Sequence, residues 1–369
     1  MGPGVSRSPE EWEEVRALMA LKGSPRLGDR GIRTLVDAHG SGVAALRAKG
    51  VQGDLLNELP SPGMKDLWED GSVDVIPMTS PRYPTPLRDL VDPPPLLFLK
   101  GDLKLLRRAG VAIVGSRKAT GVGRRAAEAL GRELGGAGIP VVSGMALGID
   151  GEAHRGALQV GGSTVAVLGS GFERVYPAAH RRLFHEIGER GLLLTEFLPA
   201  EPALPHHFPK RNRIIAALSR AIVVVEAGRR SGALITVDHG LDLGKEVLVV
   251  PGSVENRQTA GSNALLRDGA TALPDPTAIV GVLKGLGLGS DLSEARASSH
   301  HGPGQSIPEE LMVLWGAISE EPRSVEELAV SASTSLSHAL AGLSVLELRG
   351  WVRQCPGMRY HRYGPGPRS

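Results

Sequence analysis

Apolar positions along this 369-residue chain fall into two rhythms, one helical and one continuous. From about Glu10 to Trp68, the segments EEWEEVRALMAL, GDRGIRTLVDAHG and SGVAALRAKG place Leu18, Leu21, Ile32, Leu35, Val36 and Leu46 at helical spacing, with glycines between segments. The pattern predicts a small all-α domain over residues 1–75, frayed at its Gly/Pro/Ser-rich start. Its Gly-containing turns suit either a plain packing module or a helix-hairpin-helix that touches phosphates. A Pro-rich connector, PRYPTPLRDLVDPPPLLFLKG, follows from Pro81 to Gly101.

Beyond it the rhythm changes. The apolar runs VAIVG, IPVVSG, STVAVLGSG, LLLTEF, AIVVVEA and EVLVVPG alternate with the helical patterns RRAAEALGREL, DGEAHRGAL, HRRLFHEIGE, RIIAAL and GALITVDHGLDLG. Strands that are apolar throughout and separated by helices belong to a parallel sheet covered on both faces. Residues 76–285 are therefore expected to form a doubly wound, mostly parallel α/β domain of extended Rossmann-like type. The low-complexity stretch over 286–305 reads as a flexible linker. Residues 306–369 offer three helical segments and WVRQCPGMRYHRY, a two-stranded wing turning at Pro356-Gly357. That is the outline of a winged helix, which serves duplex DNA or a protein partner.

Composition narrows the chemistry. The net charge is only +2, so a basic surface must be local. Aromatic residues make up 4%, so each well-placed ring carries information. The single cysteine, Cys355, rules out an internal disulfide and any all-cysteine metal site. No apolar run reaches eighteen residues and Met1 to Glu10 lacks a secretory apolar region, so a cytoplasmic protein with no membrane association is expected.

The turn after the first parallel strand is GSRKATGVGRRA. Gly121, Gly123 and Ala126 match G-x-G-x-x-A, but SRKAT separates them from Gly115 at the strand end, and the next strand ends in Ser143-Gly144 with no acid for a ribose. A nicotinamide site is therefore disfavoured, and no Walker lysine follows. Ser116, Arg117, Lys118 and Thr120 nonetheless surround a helix start, an expected anion cradle. In SGMALGIDGEAHRGAL, two glycines permit close backbone approach, Asp150 is placed to cap a helix, and His154 shares its face, as a structural pair that orders the loop or as an acid/base pair. No activated serine or cysteine accompanies them. HEIGE lacks the second histidine of a zincin, and His206-His207 finds no third ligand, so neither metal nor cofactor is expected. Glu226 closes the strand AIVVVEA, placed to orient arginines or meet a polar ligand group.

HHFPKRNRII concentrates a ring, cations and an amide before an apolar run, a loop expected to lead into a helix anchored by Ile214, Ile215 and Leu218. The strand-end loops would gather Arg117, Lys118, Lys210, Arg211, Arg213, Arg229 and Arg230 around Tyr176 and Phe208. Cations along a backbone with rings offered to bases describe a single-stranded nucleic-acid site. Phe208 then faces either a base or the core.

The run GSR, SGMALGIDGEAHRGAL, TVAVLGSGFERVYPAAHRRL, FPKRNRIIAALS, VVVEAGRRSGALIT and VPGS resembles the DNA-processing protein A (DprA, or Smf) family over residues 85–285. The resemblance implies an N-terminal sterile-alpha-motif-like (SAM-like) helical domain and a C-terminal winged helix around the Rossmann-like core. It also implies a non-enzymatic homodimer of natural transformation that binds and protects incoming single-stranded DNA and helps load RecA recombinase onto it. The expected DNA-binding residues are Ser116, Arg117, Lys118, Ser143, Gly144, Phe208, Lys210, Arg211, Asn212 and Arg213. IIAALS and ITVDHG depart slightly from the family pattern without removing a charge or a ring. The rival readings are a nucleoside monophosphate phosphoribohydrolase, which would want a PGGxGT loop where this chain has VPGS, and a nicotinamide oxidoreductase.

Overall fold

The computed structural model describes residues 8–24, 27–50, 73–288, 311–319, 321–348, 351–355 and 358–362. They fall into two compact units, Met1–Ala297 and Ser298–Ser369. The frayed start, residues 51–72 at the end of the expected helical domain, the linker from residue 289 and the Pro356-Gly357 turn lie outside the described residues.

The first unit begins with three helices: α1 (Pro9–Gly23), α2 (Asp29–His39) and α3 (Gly42–Ala48). Local chemistry sets their ends. Ser8 caps α1, Pro9 takes its first position and Glu10 and Glu11 fill its first turn. Gly40, at φ 82°, ends α2 in the left-handed region that other residues avoid, and Ser41 caps α3. Leu18, Leu21, Ile32, Val36 and Leu46 are buried as their spacing predicts.

The sheet has nine strands: β1 (Asp74–Pro77), β2 (Leu96–Gly101), β3 (Gly110–Gly115), β4 (Val141–Ser143), β5 (Thr164–Val167), β6 (Leu192–Thr195), β7 (Ser219–Val225), β8 (Glu246–Val250) and β9 (Thr271–Ala272), in the order β1-β2-β6-β5-β4-β3-β7-β8-β9. The seven strands from β6 to β9 run parallel, and β1 and β2 add an antiparallel edge. The connector expected over 81–101 thus ends in a strand. Its prolines mask LLFLKG, which pairs with β6 and buries Phe98 completely. After β6 the chain returns to the other side of β3, so the carboxyl ends of β3 and β7 form a topological switch point.

Helices cover both faces: α4 (Thr85–Arg88), α5 (Gly121–Gly136), α6 (Ile149–Gln159), α7 (Arg181–Arg190), α8 (His207–Ala217), α9 (Gly232–Asp242), α10 (Ala260–Arg267) and α11 (Ile279–Gly285). α5 and α6 pack closely at glycines. A Cβ on Gly131 would lie 2.2 Å from the Ala153 carbonyl oxygen, and one on Gly156 would lie 2.1 Å from that of Glu128. α8 corrects an expectation. FPKRNR is not a loop but the opening turns of this helix, where Pro209 costs nothing because the first four N–H groups have no intrahelical acceptor.

α8 also ties the N-terminal helices to the sheet. Arg213 is buried and forks onto Glu196 at 2.7 and 2.9 Å, with Asp29 at 3.3 Å and Asp92 at 3.1 Å. Lys210 adds Asp29 at 2.6 Å and Glu196 at 3.2 Å, and Lys22 reaches Asp29 at 3.6 Å. Burial opposes each charge, but Lys22, Lys210 and Arg213 outweigh it and hold the Asp29 carboxyl below the usual range. The carboxylates of Glu196, Asp92 and Asp29 likewise raise Arg213, and those of Glu196 and Asp29 raise Lys210, each against its own burial.

The second unit contains α12 (Met312–Ala317), β10 (Arg323–Ser324), α13 (Val325–Ser331), α14 (Leu336–Leu348), β11 (Val352–Cys355) and β12 (Arg359–Arg362). Its sheet, ordered β10-β12-β11, has one more strand than the expected wing. Leu314, Ile318, Leu328, Leu343, Leu346 and Tyr360 form the core of a winged helix, and a Ser324–Glu327 capping box starts α13. Among the described residues no single helix is long and apolar enough to cross a membrane.

The ion network makes a stability prediction. Arg213→Met removes the two-pronged partner of Glu196, which is 0% exposed, leaves it only Lys210 at 3.2 Å, and should cost about 3–5 kcal/mol in guanidinium unfolding. Asp92→Asn, at a carboxylate 41% exposed, should cost about 0–1 kcal/mol. Equal effects from the two variants would contradict this picture of the network.

Candidate nucleic-acid interface

A cleft of about 690 Å³ opens at the switch point, between the turn after β3, the start of α8 and the loops after β7 and β8. Each wall follows from a strand end. After β3 the backbone N–H of Ser116 donates to the Glu226 carbonyl at 2.7 Å. The Ser116 hydroxyl donates to Gln258 at 2.9 Å and accepts from the Lys118 N–H at 3.1 Å. Ser116 is thereby buried and spent on the turn, which turns Arg117 and Lys118 outward.

Phe208 sits in the first turn of α8, half-buried and lining the cleft. Gly169 lies beneath its ring, since a Cβ there would approach it to 2.9 Å. The Arg117 guanidinium lies over the ring at 4.6 Å from its centroid, and Tyr176, 47% exposed, is 5.4 Å away centroid to centroid. The ring therefore faces the cleft rather than the core. Arg230 and Arg257 complete the cationic lining. Arg257 and Gln258 were missed in the sequence, although the VPGS turn that precedes them is a strand-end loop.

The other cations of FPKRNR turn inward. Arg211 is buried under the cleft floor, donating to the Gly144 carbonyl at 2.8 Å and to the Val167 carbonyl. Burial pushes its guanidinium down to about 10, so it stays charged at neutral pH. A Cβ on Gly144 would lie 2.5 Å from that guanidinium, so the close approach this glycine permits is to Arg211. Asn212 accepts from Arg211 Nε at 3.3 Å and donates to the Gly232 carbonyl at 3.0 Å, which fixes α8 against α9. Ser143 is fully buried and donates to the Ile113 carbonyl at 2.6 Å. Lys210 and Arg213 serve the ion network. The expectation that Arg213 is held toward a strand beside Phe208 is corrected accordingly: its carboxylate partners are inside the protein.

The anion cradle at α5 is also corrected. The Glu226 carboxylate accepts from the Thr120 N–H at 2.8 Å and from the Thr120 hydroxyl, while Thr120 caps α5 by accepting from the Gly123 N–H at 3.1 Å. A Cβ on Gly123 would lie 2.4 Å from the Glu226 carboxyl carbon. The protein's own carboxylate thus occupies the place at the helix N-terminus where a pyrophosphate would rest. Glu226 has a φ of 51°, in the left-handed region, and these bonds hold it there.

Asp150 and His154 share α6 but work separately. Asp150 accepts from the Gly144 N–H at 3.1 Å and the Ala146 N–H at 3.3 Å, and burial pushes its carboxyl up. His154 is fully buried with Nδ1 2.7 Å from the Thr164 hydroxyl, and burial pushes it down to about 3. A neutral imidazole locked in the core supplies no acid or base to the cleft.

The profile of the DNA recombination-mediator protein A family matches residues 74–284, and that of the DprA winged helix domain matches residues 301–358. The chain is 37% identical over 290 residues to Protein Smf of Escherichia coli, spanning 77% of this chain and 76% of that protein. It is 44% identical over 188 residues to DNA processing protein DprA of Streptococcus pneumoniae, spanning 51% of this chain and 66% of that one. The X-ray structure of the pneumococcal protein aligns with a TM-score of 0.64 at 32% identity, covering 73% of this chain and 97% of that one. The DNA processing protein A of Helicobacter pylori, whose structure addresses its single-stranded DNA binding mode, aligns with a TM-score of 0.53 at 28% identity, covering 58% and 96%.

The buried imidazole sets a pH dependence. His154 binds its proton near pH 6.5 when unfolded and near 3 when folded, so the unfolded state holds more protons between those values. Its contribution to stability is complete above about pH 6.5 and is lost as pH falls toward 3. The unfolding free energy should therefore fall on acidification through this window, and less steeply in His154→Gln; identical slopes would remove His154 from the account.

Proposed function

The chain belongs to the DNA recombination-mediator protein A family, and on that premise we propose that it is a single-stranded-DNA-binding mediator that performs no chemical step on the strand. The observation that carries this reading is the half-buried Phe208 ring held at the cleft between Arg117 and Tyr176. A ring fixed from below and bordered by an exposed guanidinium offers a stacking face to any base, with a cation beside it for the phosphate. The cleft lining adds Lys118, Arg230 and Arg257, which track a backbone without reading a sequence. The single-stranded DNA binding of the Helicobacter pylori relative supports the same assignment.

Of the residues expected to bind DNA, Arg117, Lys118 and Phe208 meet the strand. Ser116, Ser143, Gly144, Lys210, Arg211, Asn212 and Arg213 hold those three in place. Handover of the strand to RecA recombinase belongs to the proposal and rests on the family's description as a recombination mediator. The homodimer and the cytoplasmic setting come with the family resemblance. A phosphoribohydrolase or nicotinamide enzyme is the poorer reading, since Glu226 fills the seat at α5 that a nucleotide phosphate would need.

Fluorescence anisotropy with oligo(dT), measured across a salt series on the full chain, tests the proposal. Arg117→Ala should weaken binding and reduce the log–log salt slope by about 0.7, the value for one lost phosphate contact on a single strand. Phe208→Ala should cost on the order of 1–3 kcal/mol of binding. Arg117 is exposed, so its variant should melt within about 0.5 kcal/mol of the parent. Unchanged affinity in both variants would remove the cleft from DNA binding, and release of free base from nucleoside monophosphates at enzymatic rates would replace a mediator with a hydrolase.

A further inference from the structure

The face that Phe208 turns to the cleft is covered by the protein's own cation. Gly169 lies beneath the ring, and the Arg117 guanidinium lies over it, 4.6 Å from its centroid. Offset-stacked rings keep their centroids roughly 4.5–7 Å apart, so a stacked base and this guanidinium claim the same space. One of them must leave before the other arrives.

Arg117 is the group able to leave. Its backbone is fixed against α6: the Ser116 carbonyl accepts from the Ile149 N–H at 3.3 Å, and a Cβ on Gly148 would lie 2.9 Å from the Arg117 carbonyl oxygen. Its side chain is exposed and needs only a change of rotamer to swing away. Asp150, a carboxylate that feels its charge, is buried and already accepts from the Gly144 and Ala146 N–H groups. The ring itself stays, because Phe208 is half-buried in the first turn of α8, which Arg211 fastens to the Gly144 and Val167 carbonyls. A strand supplies both replacements at once. A base takes the ring, and the adjoining phosphate takes the guanidinium in forked, charge-assisted hydrogen bonds.

We propose that Arg117 covers Phe208 as a gate, and that a strand opens it by placing a base on the ring and a phosphate on the guanidinium. The inference rests on the cleft being the DNA site, and it adds what that site selects. A cation–π contact at an exposed position is worth about two- to fivefold in an equilibrium constant. Any polyanion that draws Arg117 off the ring loses that factor. An unpaired base restores it, since stacking on a protein ring is worth about 5- to 150-fold. Bases paired within a duplex, and polyanions without bases, have no such replacement. The gate therefore favours strands with unpaired bases, a discrimination that phosphate contacts alone do not supply.

Fluorescence anisotropy on the full chain tests it, with oligo(dT) and an abasic strand of the same length, for the parent, Phe208→Ala and Phe208→Leu. Both variants remove the ring that holds Arg117. Phe208→Leu keeps apolar volume under the cleft and serves if Phe208→Ala does not fold. Either variant should bind oligo(dT) more weakly, because stacking is lost. Either should bind the abasic strand about two- to fivefold more tightly than the parent, because Arg117 is already released and no stacking is given up. The opposite signs separate a gate from a ring that only shapes the cleft, whose loss would weaken both strands. Equal or weaker binding of the abasic strand by the folded variants, or no binding of it by any of the three proteins, would overturn the gate even where oligo(dT) binding falls. Failure of the cleft reading looks different: oligo(dT) affinity is then unchanged in both variants, and the gate falls with it.

Discussion

The guanidinium of Arg211, on the carbonyls of Gly144 and Val167, is the contact on which the cleft depends. It fastens α8 to the residue after β4 and to the last residue of β5 in one stroke. Backbone carbonyls at strand ends need donors, and the two hydrogens of Arg211 Nη1 serve both of these. Gly144 leaves room for the guanidinium, and Asn212 locks the same helix to α9. With α8 so held, Phe208 has one place to go, over Gly169 and beside Arg117. One turn further on, Arg213 uses buried carboxylates to draw the N-terminal helices onto the sheet. One helix thus builds the site and joins two parts of the unit.

Glu226 accounts for what the fold does not do. A doubly wound sheet ordinarily offers a helix N-terminus to phosphate at its switch point. Here a carboxylate supplied by β7 satisfies Thr120 at that position, and the glycine at 123 exists to let it in. The positive end of α5 is neutralised internally, and the positive charge lining the cleft comes instead from arginine and lysine side chains. Such side chains accommodate a flexible backbone in many positions, whereas a helix N-terminus fixes one phosphate.

The parallel sheet and its helices were legible because strands buried on both faces have no polar alternation, and six such runs separated by helical patterns leave little choice of architecture. β2 was not legible, since three prolines before it resemble a linker and its pairing with β6 is a long-range event. The helical state of FPKRNR was hidden similarly: proline suggests a loop, and only the missing acceptors of a first turn make it harmless. In the site, Arg117, Lys118 and Phe208 were found from residue type at strand ends. Lys210, Arg211 and Arg213 were drawn to the same cleft because sequence reports charge density without direction.

The chain by itself determined which segments form strands and helices, where the strand-end loops gather, and that rings and cations meet there. These follow from periodicity and from local chemistry such as caps, glycines and prolines, all properties of neighbours in sequence. Only the tertiary structure decided which cations face solvent and which are spent. Arg211 and Arg213 are two residues apart, yet one meets carbonyls at the ends of β4 and β5 and the other meets carboxylates from three distant segments. A charge's role depends on which partner desolvates with it, and those partners come together only when the sheet closes.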